Sequence, residues 1–313
     1  MVAVLALSLV EEGVLALADP VERFVPELAD RRVLRRLDGP LADTVPAERP
    51  VTVEDLLTMR LGFVFEADCP AVGVAAQAGL GIGPPDPSVP LSPDAWIEQF
   101  AKLPLLEQPG TVWRYDLAYA VLGVVLARAG GRPLGELLSV RLFDPLGMTD
   151  TAFVAPSGRL LPSFAQGDTG LVVFDPAVDS RWSVPPSFPD ALGGLVSTAG
   201  DLLRFAGVLL DGGRGIISPA TVTAMTTNRL TREQRRGASA QMFLHGSGWG
   251  YGVQIVPAEN GSAVRYGWGG GLGTLWYSWP DHGAAAVLLT QVLPPPEELI
   301  ASFISRAEQV LTT

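Results

Sequence analysis

Residues 109–116, Pro109-Gly110-Thr111-Val112-Trp113-Arg114-Tyr115-Asp116, lead into an apolar stretch that closes at Gly130-Gly131. Taken alone, Tyr115 would be an ordinary helix-entry aromatic. Three further runs stand at intervals along the chain: Phe143-Asp144-Pro145-Leu146-Gly147-Met148-Thr149-Asp150-Thr151, Gly193-Gly194-Leu195-Val196-Ser197-Thr198-Ala199-Gly200-Asp201, and Gly267-Trp268-Gly269-Gly270-Gly271-Leu272-Gly273-Thr274. Each is weak by itself. Their order and spacing carry the information.

Composition narrows the classes. The 313 residues hold 22 basic and 33 acidic side chains, a net charge of −11, with 48% apolar and 18% charged residues. That balance reads as a folded protein and argues against nucleic acid, which needs a clustered Lys/Arg face. One cysteine, Cys69, rules out an intramolecular disulfide and a cysteine-cluster zinc site. The two histidines, His245 and His282, are each followed by glycine and cannot form H-E-x-x-H. No metal and no cofactor are expected. The apolar runs Met1–Val10, Tyr119–Ala127 and Ala284–Leu289 fall far short of the roughly 20 residues of a membrane span. Met1–Val10 lacks a basic flank and meets Glu11-Glu12 at once, so it is not taken as a signal peptide.

The chain opens inside an apolar helix over Val2–Glu12, ended by Gly13. Thr52-Val53-Glu54-Asp55 and Thr198-Ala199-Gly200-Asp201 are capping-box patterns, and Ser92-Pro93 and Ser218-Pro219 are serine caps before a first-turn proline. Helices are predicted near 53–59, 93–102, 118–129, 134–142, 200–211 and 219–227. Farther on the period changes to two. Tyr251, Val253 and Ile255 alternate with their neighbours, as do Leu275, Tyr277 and Trp279. Ala284–Leu289, apolar on both faces, reads by pattern as a central strand. A last helix carries Leu299, Ile300, Phe303, Ile304, Ala307 and Leu311 on one face.

Common catalytic signatures are missing. Gly237-Ala238-Ser239-Ala240-Gln241 fails G-x-S-x-G at its last position. Ser247 beside His245 reads as a turn, both histidines as surface residues, Lys102 as a solvated helix residue and Cys69 as a buried small side chain. The four runs quoted above, together with Leu9-Val10-Glu11-Glu12-Gly13, resemble the β-lactamase-related serine hydrolases: class C β-lactamases, D-alanyl-D-alanine carboxypeptidases and esterases of that fold. The resemblance spans nearly the whole chain.

It implies an α/β (α+β) fold of the β-lactamase/penicillin-binding-protein type: an antiparallel sheet flanked by helices, plus a mostly helical domain, with the site in the cleft between. Residues 1–35 and 231–313 would form the sheet domain, incomplete at its N-terminal strands, and residues 36–230 the helical one. The chemistry implied is acyl-enzyme hydrolysis of a small-molecule ester or amide. Tyr115 matches the family's relay tyrosine and Asp116 the residue after it. Trp268-Gly269-Gly270 matches the third motif in its W-x-G form, with Gly271 presenting an oxyanion N–H. The missing basic side chain at Trp268 disfavours a penicillin-like carboxylate as ligand and favours a neutral ester or amide.

The family's first motif, S-x-x-K, cannot be placed. The one lysine, Lys102, has Gln99 three residues before it. Leu9–Gly13 matches the end of the nucleophile helix, and counting back along it puts the family's serine roughly five residues before Met1. The expectation is therefore a serine hydrolase lacking its N-terminal segment and inactive as given, in the cytoplasm, with Ala284–Leu289 left as an exposed, aggregation-prone edge. A relative that binds a ligand or partner in the same cleft without turnover stands as the alternative, and a Ser-His-Asp hydrolase using His245 or His282 as a third reading.

Overall fold

The computed structural model describes residues 1–63, 69–115, 117–156, 158–258 and 263–312. Helix α1 (Val2–Glu11) is buried from Val2 through Leu9, as its all-round apolar pattern requires. Strands β1 (Arg32–Leu34) and β2 (Thr44–Pro46) pair antiparallel. Helix α2 (Val53–Leu57) begins with the complete capping box. Thr52 Oγ1 accepts from the Asp55 N–H at 3.2 Å, and Asp55 Oδ2 accepts from the Thr52 N–H at 3.0 Å. Helices α3 (Pro70–Gln77) and α4 (Pro93–Ala101) follow, the second capped by Ser92 at 3.3 Å from the Ala95 N–H.

Helix α5 (Ala118–Gly130) is the axis of the helical part, buried from Ala118 to Leu126 and closed by Gly131 in the left-handed region. Each buried Leu or Val there contributes roughly 1.5–3 kcal/mol relative to exposure. Helix α6 (Leu134–Leu138) runs through a wide turn at Ser139–Phe143 into α7 (Asp144–Leu146). A hairpin of β3 (Ser163–Gly167) and β4 (Gly170–Asp175) precedes α8 (Ala199–Leu210), α9 (Pro219–Met225) and α10 (Ala238–Leu244).

At α8 the capping pattern is only half fulfilled. Thr198 Oγ1 accepts from the Asp201 N–H at 3.2 Å, but the buried Asp201 carboxylate turns away to Asp150 N–H and Thr151 Oγ1, both at 2.9 Å. It thereby ties the Phe143–Thr151 run to the Gly193–Asp201 run.

The main sheet is fully antiparallel, in the order β5 (Gly248–Trp249), β6 (Gln254–Pro257), β7 (Ala263–Gly270), β8 (Thr274–Trp279), β9 (Ala284–Leu289). Short β10 (Val292–Leu293) runs parallel to β3, and α11 (Glu297–Leu311) ends the chain's described part. Leu275, Tyr277 and Trp279 on one face of β8 pack against Ile300, Phe303, Ile304, Ala307 and Leu311 of α11. Leu299, grouped with that face by spacing, is instead 41% exposed. Its apolar run on both faces places β9 in the middle of a sheet, and this is corrected: β9 pairs with β8 alone among the described residues and is the sheet's edge. Its two apolar faces are explained by α11 on one side and α8 on the other. Helices α3 and α10 and the four strands β1–β4 are additions that periodicity did not signal, being short or polar-flanked.

Candidate active site

Tyr115 ends a loop whose successive backbone donors are fastened to three different elements. The Trp113 N–H donates to Gln234 O at 2.8 Å, the Arg114 N–H to Met59 O at 2.8 Å, and the Tyr115 N–H to Ser239 Oγ at 2.9 Å. The Arg114 guanidinium is buried and pairs with Glu107 at 2.9 Å. Gln234 Nε2 also donates to Gly110 O at 2.9 Å, closing the Pro-Gly turn from outside. Three anchors at consecutive residues leave the half-buried ring little freedom. The ring packs on Phe243 of α10, with centroids 4.6 Å apart, and on Trp268, at 5.3 Å.

Trp268 comes from the middle of β7. Its indole Nε1 donates to Tyr115 Oη at 2.9 Å, and the edge of its ring system stands against Trp249 at 4.8 Å. Gly267 pairs with Tyr277, and the strands approach so closely that a Cβ there would lie 2.0 Å from Trp276 O. Gly269 and Gly270 complete β7 opposite Leu275 and Thr274, while Gly271 is exposed in the following turn with open space where a Cβ would point. Tyr115, Trp268 and the Gly269–Gly271 backbone thus form one continuous wall. Asp116, grouped with them by sequence, lies outside the described residues.

The first turn of α1 packs beside the first turn of α5. A Cβ on Gly252 would meet Tyr119 Oη at 2.3 Å and the Ala3 Cβ at 2.8 Å. Tyr119, the other tyrosine of this neighbourhood, is fully buried, donates to Leu57 O at 3.2 Å and has its phenol pushed far up by desolvation. It is a packing residue. Met1 and Val2 face a cavity of about 570 Å³ that reaches Gly193–Ser197 on one side and Leu272 and Thr274 on the other.

Other candidates stay apart from this wall. His245 and His282 are exposed, and the buried Ser247 hydroxyl donates to Leu244 O and accepts from Gln254 Nε2 at 2.8 Å. Lys102 is exposed and reaches Gln99 at 3.1 Å; Cys69 is buried. Among the described residues no group of three His, Cys, Asp or Glu side chains could hold a metal ion, and no helix is long and apolar enough to cross a membrane. Sequence reasoning missed Ser239, Gln234 and Phe243. In sequence Ser239 stands only in a failed nucleophile motif, and its partner lies 124 positions away.

A family model described as Beta-lactamase matches residues 1–311. Protein Rv1367c of Mycobacterium tuberculosis is 37% identical over 306 residues, covering 92% of this chain and 74% of the relative. Esterase EstB of Burkholderia gladioli is 31% identical over 315 residues, again covering 92% and 74%. Among solved structures, EstCE1, described as a hydrolase with promiscuous acyltransferase activity, superposes with a TM-score of 0.75 at 24% identity, covering 93% of this chain and 77% of that one.

Proposed function

The chain belongs to the beta-lactamase family of serine hydrolases, and from that premise we propose that its cleft is built for acyl transfer from a neutral ester. The observation that carries this reading is the hydrogen bond from Trp268 Nε1 to Tyr115 Oη. A phenol oxygen held by a neutral N–H is poised to pass a proton between a nucleophile and a leaving group. The same indole brings no positive charge, and the cation of β7, Arg265, is paired with Glu308 at 2.6 Å, so the third motif offers a substrate carboxylate no counter-ion of its own. Gly269–Gly271, with backbone N–H groups and no side chains, would face the developing oxyanion. The likeness to an esterase agrees with an ester over a β-lactam.

The nucleophile is the open part. These 313 residues hold no serine three residues before a lysine, and we expect the polypeptide alone not to acylate. Losing the nucleophile costs on the order of a millionfold in comparable serine enzymes. That same lack of S-x-x-K favours a second reading, in which the cleft binds a ligand without turning it over.

The test compares the chain as given with a longer polypeptide that supplies S-x-x-K ahead of Val2. Both are assayed with p-nitrophenyl butyrate and a chromogenic cephalosporin, and both are treated with a fluorophosphonate and weighed intact. Ester turnover and a covalent adduct in the longer form alone are expected, with the cephalosporin much slower. A preference for the cephalosporin would overturn the ester assignment. An adduct on the chain as given would overturn the expected inactivity, and an inert longer form would leave the binding-only reading.

A further inference from the structure

The cavity beside Met1 and Val2 holds a carboxylate that the protein does not neutralise. Asp190 lines it, with Oδ1 accepting from the Leu192 N–H at 2.9 Å. Its second oxygen meets no donor and its carboxylate no cation among the described residues. The other charged side chains around the cavity are spoken for. Asp175 accepts from Ser180 Oγ at 2.5 Å and from Arg181 Nε at 3.0 Å, and Arg159 pairs with Asp150. Among the described residues Asp190 is therefore the one side-chain charge in this space left without a counter-ion, and burial lowers the Met1 amino group on the same wall to about 5, so it is uncharged at neutral pH.

The remaining walls are mostly apolar, from Trp182, Leu192, Leu272 and Leu289, with hydroxyls from Ser163 and Thr290. A half-buried, unpaired carboxylate is costly unless something balances it. Burial pushes Asp190 up to about 6, so it is ionised in mildly alkaline buffer but at an energetic cost.

We propose that this cavity binds a ligand carrying a protonated amine on an apolar body. The ammonium group sits on Asp190, and the body lies along Trp182 and the leucines. About 570 Å³ is room for a small molecule, within the usual range of ligand pockets. Leu272 and Thr274 flank the turn after Gly271, so the cavity adjoins the wall of the proposed acyl-transfer site. Where the acyl-transfer reading holds, the substrate class becomes an ester with a cationic amine in one of its two halves. Only that step rests on the acyl-transfer reading; the binding itself needs no nucleophile.

The experiment is calorimetric titration of the 313-residue chain at pH 8 with 4-phenylbutylamine, 4-phenylbutanol and 4-phenylbutyrate. The amine should bind at least about tenfold more tightly than the alcohol, the scale of one charge-assisted hydrogen bond, and the acid should bind weakest. Asp190→Asn should bring amine and alcohol within about twofold of each other. Leu272→Trp narrows the cavity from the far side, leaves Asp190 in place, and should weaken all three ligands together. Equal affinity for amine and alcohol, or an amine preference that survives Asp190→Asn, overturns the proposal. If Asp190→Asn does not fold, amine binding that Leu272→Trp leaves as tight as in the parent chain overturns it in the same way. Because the readout is binding, a failure of ester turnover would leave this result standing, and the reverse also holds.

Discussion

Trp268 Nε1 and Tyr115 Oη, 153 positions apart in sequence, meet at 2.9 Å across the cleft between β7 and the loop before α5. This bond fastens the sheet to the helical part at the point where the proposed chemistry would occur. Tyr115→Phe and Trp268→Phe should each cost about 1 kcal/mol of stability, because each removes this hydrogen bond between two half-buried groups. The double variant should cost less than the two together, since the bond can be lost only once. Urea unfolding of the four proteins measures this. Strict additivity would mean that the bond contributes nothing in solution. In a form that turns over ester, Tyr115→Phe should also cut kcat by orders of magnitude.

Ser239 holds the backbone N–H of Tyr115, and its hydroxyl is enclosed beneath α10. Ser239→Ala should destabilise by about 1–2 kcal/mol, the cost of an unmade buried hydrogen bond. It should also alter the near-ultraviolet circular dichroism of the Trp113, Tyr115, Phe243 and Trp268 cluster. A variant that unfolds earlier with an unchanged aromatic spectrum would assign Ser239 to helix packing alone.

Glycines of the third motif divide by surroundings. Gly267→Ala would drive a methyl to 2.0 Å from the Trp276 carbonyl, and no side chain can yield there because the obstacle is backbone. A loss on the order of 4 kcal/mol or more, or failure to fold, is expected. Gly271 meets nothing within 4 Å and has no left-handed backbone, so Gly271→Ala should stay within about 0.5 kcal/mol of the parent. Thermal melts of the two variants test the contrast. Equal effects would contradict the β7–β8 spacing.

What could be read from the residues, and what could not, follows the range of the forces involved. Caps at Thr52, Ser92, Thr198 and Ser218 are local chemistry, decided within three residues, and each hydroxyl caps its helix as expected. The resemblance picked out Tyr115 and Trp268 without showing that they touch. The Ser239 anchor, the Asp201 tie to Thr151 and the edge position of β9 depend on which distant segments meet, and no periodicity encodes that. Ala284–Leu289 shows the limit well. Helices on both faces of an edge strand impose the same apolar pattern as a place in the sheet's centre, so only pairing could separate the two.

Among the described residues the free side of β9 has no strand partner and its sequence is uncharged, the combination that favours edge-to-edge association. Leu289, at the strand's end, is 40% exposed. Leu289→Lys should reduce self-association, because a charge on the edge strand must be desolvated in any paired form. Sedimentation velocity across a concentration series is the measurement. A concentration-independent monomer in the parent chain would remove the premise.

Asp190 sets a pH dependence of opposite sign to the usual carboxylate. Burial raises its pKa from the ordinary 3.8 to about 6 in the folded protein. Between roughly pH 4 and 6 the folded state therefore binds more protons at this residue than the unfolded state, and stability falls as pH rises through that window. Above it the whole penalty is present, at most about 3 kcal/mol from 1.36 kcal/mol per unit. Asp190→Asn keeps the acceptor for the Leu192 N–H and removes the charge. It should stabilise the protein by roughly 2–3 kcal/mol at pH 7.5 and by less than about 1 kcal/mol at pH 4. Urea unfolding of both proteins at the two pH values decides the matter, and a difference that does not change with pH would refute the burial of this charge. Saturating 4-phenylbutylamine should narrow the gap at pH 7.5, since a ligand that pairs with the carboxylate stabilises only the protein that has one.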